Sequence, residues 1–191
     1  MKRRPLLRRA IVWITATVLM AIAIFLRNHQ VDDQNAHAPI DIHGSVEQPL
    51  VGRNVTASVD RVRLTPLIHA DWGDDKPDDF RAHNDATFVV FEVTVASVVA
   101  NGFGFSDFHI GDKTFGSQYV GFPPSIEQLT PGFPSKGRIT FEIPGSLTQS
   151  VGYLRVVGDK DPRLDSRLVF AVDLTKVERL PSITLKRGIA G

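Results

Sequence analysis

The stretch ATFVVFEVTVAS, residues 86–97, decides the fold. It is dense in β-branched and aromatic residues, which favour a strand. Alternation places Val89 and Phe91 on one face, continued by Val93 and Val95. Phe88 and Val90 lie on the other face and are followed there by the polar Glu92 and Thr94. The stretch predicts a central strand with one end buried on both faces.

The segments around this strand also show the pattern of β-strands. In NVTASVDRVRL, residues 54–64, the inward phase slips by one residue after Val59 and resumes at Val62, which predicts a β-bulge. Gly111-Asp112 is a hairpin-turn signal between two short strands. Further strands are predicted over residues 105–110, 113–116, 138–143, 153–157 and 167–174.

The spacing of these segments indicates the fold class. Seven or eight short strands are separated by Gly, Pro and Asp turns, and no convincing soluble helix interrupts them. This predicts a mainly β protein with an antiparallel, immunoglobulin-like β-sandwich over residues 45–175, with an antiparallel barrel as the alternative. Residues 176–191 are expected to form a last edge strand or a tail.

The N-terminal segment is apolar and is flanked by basic residues. Residues 10–26, AIVWITATVLMAIAIFL, carry no charge and would span about 25 Å as a helix. Arg9 and Arg27 can reach the interfaces on either side by snorkelling. We therefore predict a single transmembrane helix, a signal anchor, that contacts the lipid bilayer through residues 10–26.

Charge asymmetry predicts the orientation of this helix. Residues 1–9 hold five basic residues and no acid, so they are expected in the cytoplasm, with the C-terminal domain outside the cell membrane. Residues 27–44 are polar and read as a linker. The alternative is a signal peptide cleaved after Ala21-Ile-Ala23, which would give a secreted protein, although Ile24 to Leu26 continue the apolar run past that site.

Charge and cysteine content exclude several function classes. Six of the 22 basic residues lie in residues 1–27, so the remainder carries 16 basic and 21 acidic residues, a net charge of −5. A mildly acidic body argues against nucleic acid binding, which needs clustered Lys and Arg. The absence of cysteine excludes disulfides, thiolate metal sites and a cysteine nucleophile.

The stretch HADWGDDKPDDFRAHND, residues 69–85, holds six aspartates and two histidines. The aspartates come in adjacent pairs beside Pro77, unlike the alternate ligand spacing of a Ca²⁺ loop. His69 and His83 frame the stretch and could approach each other across a hairpin, but the chain shows no zinc-ligand spacing. A solvated loop with no metal is the main expectation here.

Catalytic motifs are missing from the sequence. There is no GxSxG elbow, and Ser106, Asp107 and His109 follow one another along a strand whose alternate residues face opposite sides. The sequence therefore predicts no enzyme activity, no catalytic residue and no cofactor.

Aromatic residues in loops are the strongest candidates for partner contacts. Phe122 and Phe133 lie in Gly/Pro-rich loops, where burial is not assured, and Trp72 lies in the acidic stretch. Exposed loop aromatics mark partner surfaces. The alternative is that these rings plug the ends of the sandwich.

Two stretches together resemble a known family. FVVFEVTVAS at 88–97, and LTPG at 129–132 followed by ITFEIP at 139–144, are similar to telokin-like, immunoglobulin-type domains of bacterial exported or membrane-anchored proteins, a group that includes the mycobacterial immunoprotective extracellular antigen. The resemblance implies an extracytoplasmic β-sandwich and brings no catalytic residues. The long 69–85 segment and Ala96-Ser97-Val98 depart from the usual pattern.

These observations predict a membrane-anchored, extracytoplasmic and non-catalytic binding or accessory module of a cell-envelope or membrane complex, with a protein partner. An anchor favours this role because tethering raises the effective concentration of the domain near its membrane neighbours. The alternative is an exported Ca²⁺- or Zn²⁺-dependent binder or enzyme that uses residues 69–85.

Overall fold

A computed structural model describes residues 4–28, 38–71, 78–99, 101, 104–118, 129–159, 161 and 163–186. The chain divides into two units, Met1–Ala38 and Pro39–Gly191. The first contains the helix and the second contains the strands.

Helix α1 runs over Arg4–Asn28. Its side chains from Ile11 to Arg27 are all exposed. The hydroxyls of Thr15 and Thr17 donate to the carbonyls of Ile11 and Trp13, each at 2.9 Å, so these two polar groups are satisfied within the helix. Among the residues that the structure describes, no helix is both long and apolar enough to cross a membrane.

Thirteen strands make up the described part of the second unit. They are β1 (Ile40–Ser45), β2 (Leu50–Val51), β3 (Val55–Thr65), β4 (Leu67–Asp71), β5 (Asp78–Arg81), β6 (Ala86–Ser97), β7 (Phe105–Ile110), β8 (Lys113–Gly116), β9 (Ser135–Pro144), β10 (Val151–Val157), β11 (Ser166–Asp173), β12 (Glu178–Arg179) and β13 (Ile183–Lys186). A single 3-10 turn, Gly145–Leu147, follows β9.

The strands form three sheets. Sheet 1 has the order β1-β11-β10-β7-β8, and sheet 2 has the order β12-β3-β6-β9 with β2 paired to β3. Sheet 3 has the order β13-β4-β5. The chain is therefore mainly β with a sandwich-like arrangement, and β6 lies at the centre of sheet 2 between β3 and β9, as predicted.

The main core lies between sheets 1 and 2. Its centre is a trio of fully buried rings: Phe91 of β6, Phe108 of β7 and Phe141 of β9. Phe91 meets the other two edge to face, with ring centroids 5.3 Å and 5.7 Å apart. Such pairs add to the free energy already gained by burying the rings.

A second, smaller core lies on the other face of β6. Phe88 and Val90 pack there with Ile68 of β4 and with Ile183 and Leu185 of β13. The first half of β6 is thus buried on both faces, which confirms the prediction from its sequence. Sheet 3 covers this half of the outer face of sheet 2.

The two local irregularities predicted from the sequence are also confirmed. The pairing of β3 with β6 shifts register between Val59 and Arg61, which leaves Asp60 as the extra residue of a bulge. The β7–β8 hairpin turns at Gly111-Asp112, and Gly111 has φ +61°. A left-handed glycine at the first central position is what a type II′ hairpin turn requires.

The purely antiparallel arrangement predicted above is wrong in part. Three pairs are parallel: β1 with β11, β12 with β3, and β13 with β4. Alternation along a strand determines which side chains face the core, but it carries no information on the direction of a neighbour distant in sequence. The sheets are therefore mixed, although most pairs are antiparallel.

The outer elements also occupy segments that the sequence left without a defined strand. β1 begins at Ile40 inside residues 27–44, the segment assigned to the linker, and its polar Asp41 and His43 are exposed. The assignment of this segment to a linker is therefore wrong from Ile40 onward. β12 and β13 lie within residues 176–191, and β13 buries Ile183 and Leu185. Short strands with few apolar residues give little periodic signal.

Gly152 tests the packing of the aromatic trio. A Cβ at this position would lie 2.2 Å from Cζ of Phe108, so Gly152→Ala must displace the ring. We expect a loss of about 1–3 kcal/mol in the free energy of unfolding, measured by urea denaturation with circular dichroism.

The matched variant is Phe108→Leu. Because the smaller side chain leaves room for the new methyl group, the double variant should lose less stability than the sum of the two single losses. Strict additivity would show that the alanine does not meet the ring.

Candidate functional site

Phe133 is the predicted contact residue that the structure places most clearly at the surface. Pro131-Gly132 form the centre of a turn in which the Phe133 N–H donates to the Thr130 carbonyl at 3.1 Å. Gly132 has φ +79°, as the third residue of a type II turn requires. The turn leaves the Phe133 side chain 70% exposed. Its ring therefore does not plug the sandwich.

The other two predicted contacts, Trp72 and Phe122, lie outside the described residues. The same is true of Asp74 and Asp75 in the acidic stretch. The partner contacts proposed for Trp72 and Phe122, and the solvated loop expected around Asp74 and Asp75, therefore remain predictions.

Backbone hydrogen bonds gather several loops at the end of the sandwich where Phe133 lies. The N–H of Gly132 donates to the Ser97 carbonyl at 3.4 Å, and the N–H of Val98 donates to the Asn54 carbonyl at 2.9 Å. Asn54 Nδ2 in turn donates to the Asp165 carboxylate at 2.8 Å. The turns around residues 53, 98, 132 and 165 therefore share one end of the β unit.

This end carries six exposed apolar side chains, and we call the surface that they form the apolar end. They are Ile40, Val51, Val98, Val99, Phe133 and Leu164, all of which are exposed. The chain also enters the β unit here, since the Ile40 N–H donates to the Asp165 carbonyl at 2.8 Å. A group of exposed apolar residues at loop ends is typical of a partner-binding surface.

Leu164 has an unusual backbone for its residue type. Its φ is +58°, in the left-handed region that favours glycine and asparagine. Such a conformation costs about 1–2 kcal/mol for a leucine. Neighbouring bonds hold the turn: the Asp165 carboxylate accepts from Asn54 and from the N–H of Ser166 at 2.7 Å. An exposed leucine held in a costly conformation points to a role outside folding.

The two histidines of the acidic stretch do not form a common site. His69 Nδ1 lies 2.5 Å from the Asp79 carboxylate across the β4–β5 hairpin. His83 instead contacts Glu142 of β9 through both its N–H and its ring. Within the residues described, no three His, Asp or Glu side chains are grouped closely enough to hold a metal ion.

Glu142 holds the turn that precedes β6. Its Oε1 accepts from the N–H of His83 at 2.6 Å, and its Oε2 accepts from Gln118 Nε2 at 3.3 Å. Burial by itself raises the pKa of Glu142, but the bonds from His83 and Gln118 outweigh it, so the pKa lies below its ordinary value. Beside this turn the Gly145 N–H donates to the Asp85 carbonyl at 2.8 Å. These contacts serve the fold, since each one fastens a turn.

The sequence analysis did not predict a cluster of charged and polar side chains on the outer face of sheet 1. Asp107 and His109 of β7 lie beside Thr114 of β8, whose hydroxyl is 3.1 Å from His109 Nδ1. His109 Nε2 is 3.1 Å from Asp107 but makes no hydrogen bond in the described structure. The only sequence signal was the alternation of Asp107 and His109 on one face, while Thr114 joins them through the hairpin register.

The order Asp, His, Thr resembles a nucleophilic triad, but the charges around it do not suit that chemistry. Both carboxylate oxygens of Asp107 accept from Arg155, each at 2.5 Å. Burial, reinforced by the positive charge of Arg155, lowers the pKa of His109. A triad needs the reverse, a carboxylate that stabilises the imidazolium. The group is best explained as a cross-strand charge network.

Comparisons with known proteins add no function. No protein-family model matches the chain, and no curated protein matches it. An uncharacterised β-sandwich protein from Clostridium difficile is similar in structure, with a TM-score of 0.48 and 9% identity over 70% of this chain and 95% of that one.

Two further solved structures are similar. A conserved hypothetical protein from Bacillus anthracis has a TM-score of 0.44 and 11% identity over 64% of this chain and 93% of that one. A functionally unknown protein from Listeria monocytogenes has a TM-score of 0.43 and 12% identity over 65% of this chain and 80% of that one. These descriptions name neither the immunoglobulin-like nor the telokin-like group.

The charge network predicts how His109 titrates. Arg155→Gln should raise the pKa of His109, because it removes a positive charge and leaves the Asp107 carboxylate to the imidazole. NMR titration of the His109 ring protons measures this, with Arg163→Gln as the control that breaks a distant ion pair.

The same variant should also change how stability depends on pH. The folded state holds the His109 proton less tightly than the unfolded chain, so this group costs stability as pH falls through its ordinary pKa. Arg155→Gln should weaken that dependence. An unchanged or lowered His109 pKa would contradict the network.

Glu142→Gln tests the turn contacts. At neutral pH we expect a loss of about 1–2 kcal/mol in unfolding free energy, because a charged acceptor of several hydrogen bonds is lost. The lowered pKa means that this stabilisation is present above the ordinary glutamate value and is lost as pH falls through the folded value. The difference between variant and parent should therefore shrink in acid. Glu47→Gln, at an exposed glutamate, is the control, and an equal loss there would refute the assignment.

Proposed function

We propose that this protein is a membrane-tethered, extracytoplasmic and non-catalytic module that binds a protein partner in the membrane or cell envelope through its apolar end. The observation that carries the proposal is the exposure of Phe133 and its apolar neighbours on hydrogen-bonded turns. Backbone hydrogen bonds hold these turns, so a partner need not spend free energy on ordering their main chain.

The tether is helix α1. Its apolar side chains are exposed all around the helix from Ile11 to Leu26, with no charged face that would suit contact with water. The 17 uncharged residues 10–26 cover about 25 Å as a helix, and the flanking Arg9 and Arg27 can extend to the two interfaces. The basic N-terminus is proposed to face the cytoplasm, which puts the β unit outside.

The apolar end suits a protein partner for two reasons. Its residues are aliphatic and aromatic, and Arg53 and Arg163 lie in the same turns, which matches the apolar centre and polar rim of protein interfaces. The chain also enters the β unit at this end, so a tether would keep the apolar end near other membrane proteins at high effective concentration.

The finer family assignment is part of this proposal. The resemblance of residues 88–97, 129–132 and 139–144 to telokin-like domains supports an immunoglobulin-like module that works outside the cytoplasm.

The metal-dependent alternative gains no specific support. His69 and Asp79 contact each other, and His83 contacts Glu142, so the described histidines of the acidic stretch are already engaged. Of the other candidate aspartates, Asp71 and Asp78 belong to no metal-holding group among the described residues, and Asp74 and Asp75 lie outside them.

Site-specific photocrosslinking tests the partner surface. A benzoylphenylalanine at Val99 or Phe133 of the full-length protein should give a defined crosslinked species in native membranes. The same probe at Asp112, which is exposed at the opposite end of sheet 1, should not. Equal crosslinking from both ends would contradict the proposal.

Leu164→Asn supplies a matched variant. Asparagine tolerates the left-handed backbone, so stability should stay within about 1 kcal/mol of the parent while an apolar contact is removed. The crosslink from Val99 should weaken, whereas Asp112→Asn should leave it unchanged.

Retention of α1 in the membrane after alkaline extraction is the separate test of the tether.

A further inference from the structure

Strand β1 has an open edge. It lies at one end of sheet 1 and pairs with β11 alone, in an unbroken register over all six of its residues. The N–H of Ile40 donates to the carbonyl of Asp165, next to β11, at 2.8 Å. Successive residues of a strand point their N–H and C=O groups to opposite sides, so every second residue of β1 bonds towards β11. The residues whose backbone groups point away from the sheet are Asp41, His43 and Ser45.

Most of these outward backbone groups have no partner within the described part of the chain. The Ser45 carbonyl accepts from the Gln48 N–H at 3.2 Å. No described residue bonds to the N–H or C=O of Asp41 or His43. Such a row of donors and acceptors is a template for another strand, and proteins usually guard it with a lysine, a proline or a bulge. β1 contains none of these, and Arg167 balances the charge of Asp41.

The sequence of β1 is complementary to itself when it is read in the opposite direction. Antiparallel pairing of two copies about Ile42 sets this residue opposite its own copy. It also sets Asp41 opposite His43, so that a carboxylate that accepts faces an imidazole that donates. Ile40 then lies opposite Gly44. Centring the pair on Asp41 would instead oppose two carboxylates, and centring it on His43 would oppose two imidazoles, which are less favourable when charged.

The apolar face of β1 fits the same pairing. Ile40 is 64% exposed, and in the pair it lies opposite a glycine of the second copy. Leu50 fills the space that a side chain on Gly44 would need, since a Cβ there would lie 2.5 Å from Leu50 Cδ2. Ile40 of the second copy would therefore pack beside Leu50. Ile42 already packs against the main core, so the two central isoleucines would connect the cores of the two copies.

We propose that the protein self-associates through β1, in an antiparallel pairing centred on Ile42 that joins sheet 1 of two copies into one continuous sheet. A second copy is the occupant, because β1 itself supplies the complement of each position from 40 to 44, and a two-fold interface must be self-complementary. Five paired residues make a small contact, so the association is expected where copies are concentrated.

Cysteine crosslinking of the full-length protein in native membranes tests the pairing, and the chain has no cysteine of its own to interfere. Ile42→Cys sets two thiols opposite each other on the two-fold axis, within reach of a disulfide, so mild oxidation should give a covalent dimer. Ser45→Cys lies three residues from the axis, which separates its thiols by about 20 Å, and should not crosslink. Val151→Cys, exposed on β10, is the control for random encounter. No dimer from Ile42→Cys, or equal dimer from all three, overturns the proposal.

A proline at position 43 tests whether the backbone carries the pairing. The His43 N–H points outward, so His43→Pro spares the bonds to β11 while it removes a donor from the open edge. Combined with Ile42→Cys, it should slow dimer crosslinking on the order of tenfold or more, since each copy loses a hydrogen bond. His43→Thr removes the same imidazole but keeps the N–H and suits a strand, so it should slow crosslinking far less. Equal slowing by both variants would contradict strand pairing.

A mixed pair provides a second measurement should Ile42→Cys weaken the core, which circular dichroism checks. Asp41→Cys and His43→Cys, expressed together with different tags, set two exposed positions directly opposite each other and should give a mixed disulfide. Either variant alone should crosslink less, because its thiols lie two positions out of register. The result is independent of the proposed function: crosslinking from Val99 to a partner can fail while the β1 dimer forms, and the reverse.

Discussion

The burial of β6 on both faces is the constraint on which the rest of the structure depends. Val89 and Phe91 fill the core between sheets 1 and 2, while Phe88 and Val90 require a second cover on the other side. Sheet 3 supplies it with Ile68, Ile183 and Leu185. Because this cover stops where β6 becomes polar at Glu92, the remaining outer face of sheet 2 carries charged side chains such as Arg61 and Arg138, which pair in register with Glu92.

Much of this could be predicted from local pattern. The alternation in residues 86–97 predicted the central strand and its two-sided end, and the phase slip after Val59 predicted the bulge. The direction of β1, β12 and β13 could not be predicted, because their partners lie far away in sequence. The same limit applies to His69 and His83. His69 contacts Asp79 across the β4–β5 hairpin, and His83, in the turn before β6, contacts Glu142 of β9. The spacing of these residues in the sequence predicts neither pair.

The candidate surfaces also include features that the local sequence determines and features that depend on contacts between residues far apart in the sequence. The exposure of Phe133 could be anticipated because Pro131-Gly132 define a tight turn by local chemistry alone. The left-handed backbone of Leu164 could not be predicted, because the local sequence Arg-Leu-Asp has no glycine or asparagine at that position. The bond between Asn54 and Asp165 holds that turn, and it joins residues 111 positions apart.

The parallel pairing of β1 with β11 has a mechanical consequence. A pull on the N-terminal segment enters the β unit at Ile40, where the edge strand β1 begins, so it reaches this strand before the interior of the sandwich. One residue further, Asp41 is held by two bonds from Arg167, at 2.6 Å and 2.8 Å. Arg167 also lowers the pKa of Asp41, so the carboxylate stays charged in more acidic surroundings than an ordinary aspartate. We therefore expect the Asp41–Arg167 ion pair to resist the separation of β1 from β11 when the N-terminal segment is pulled.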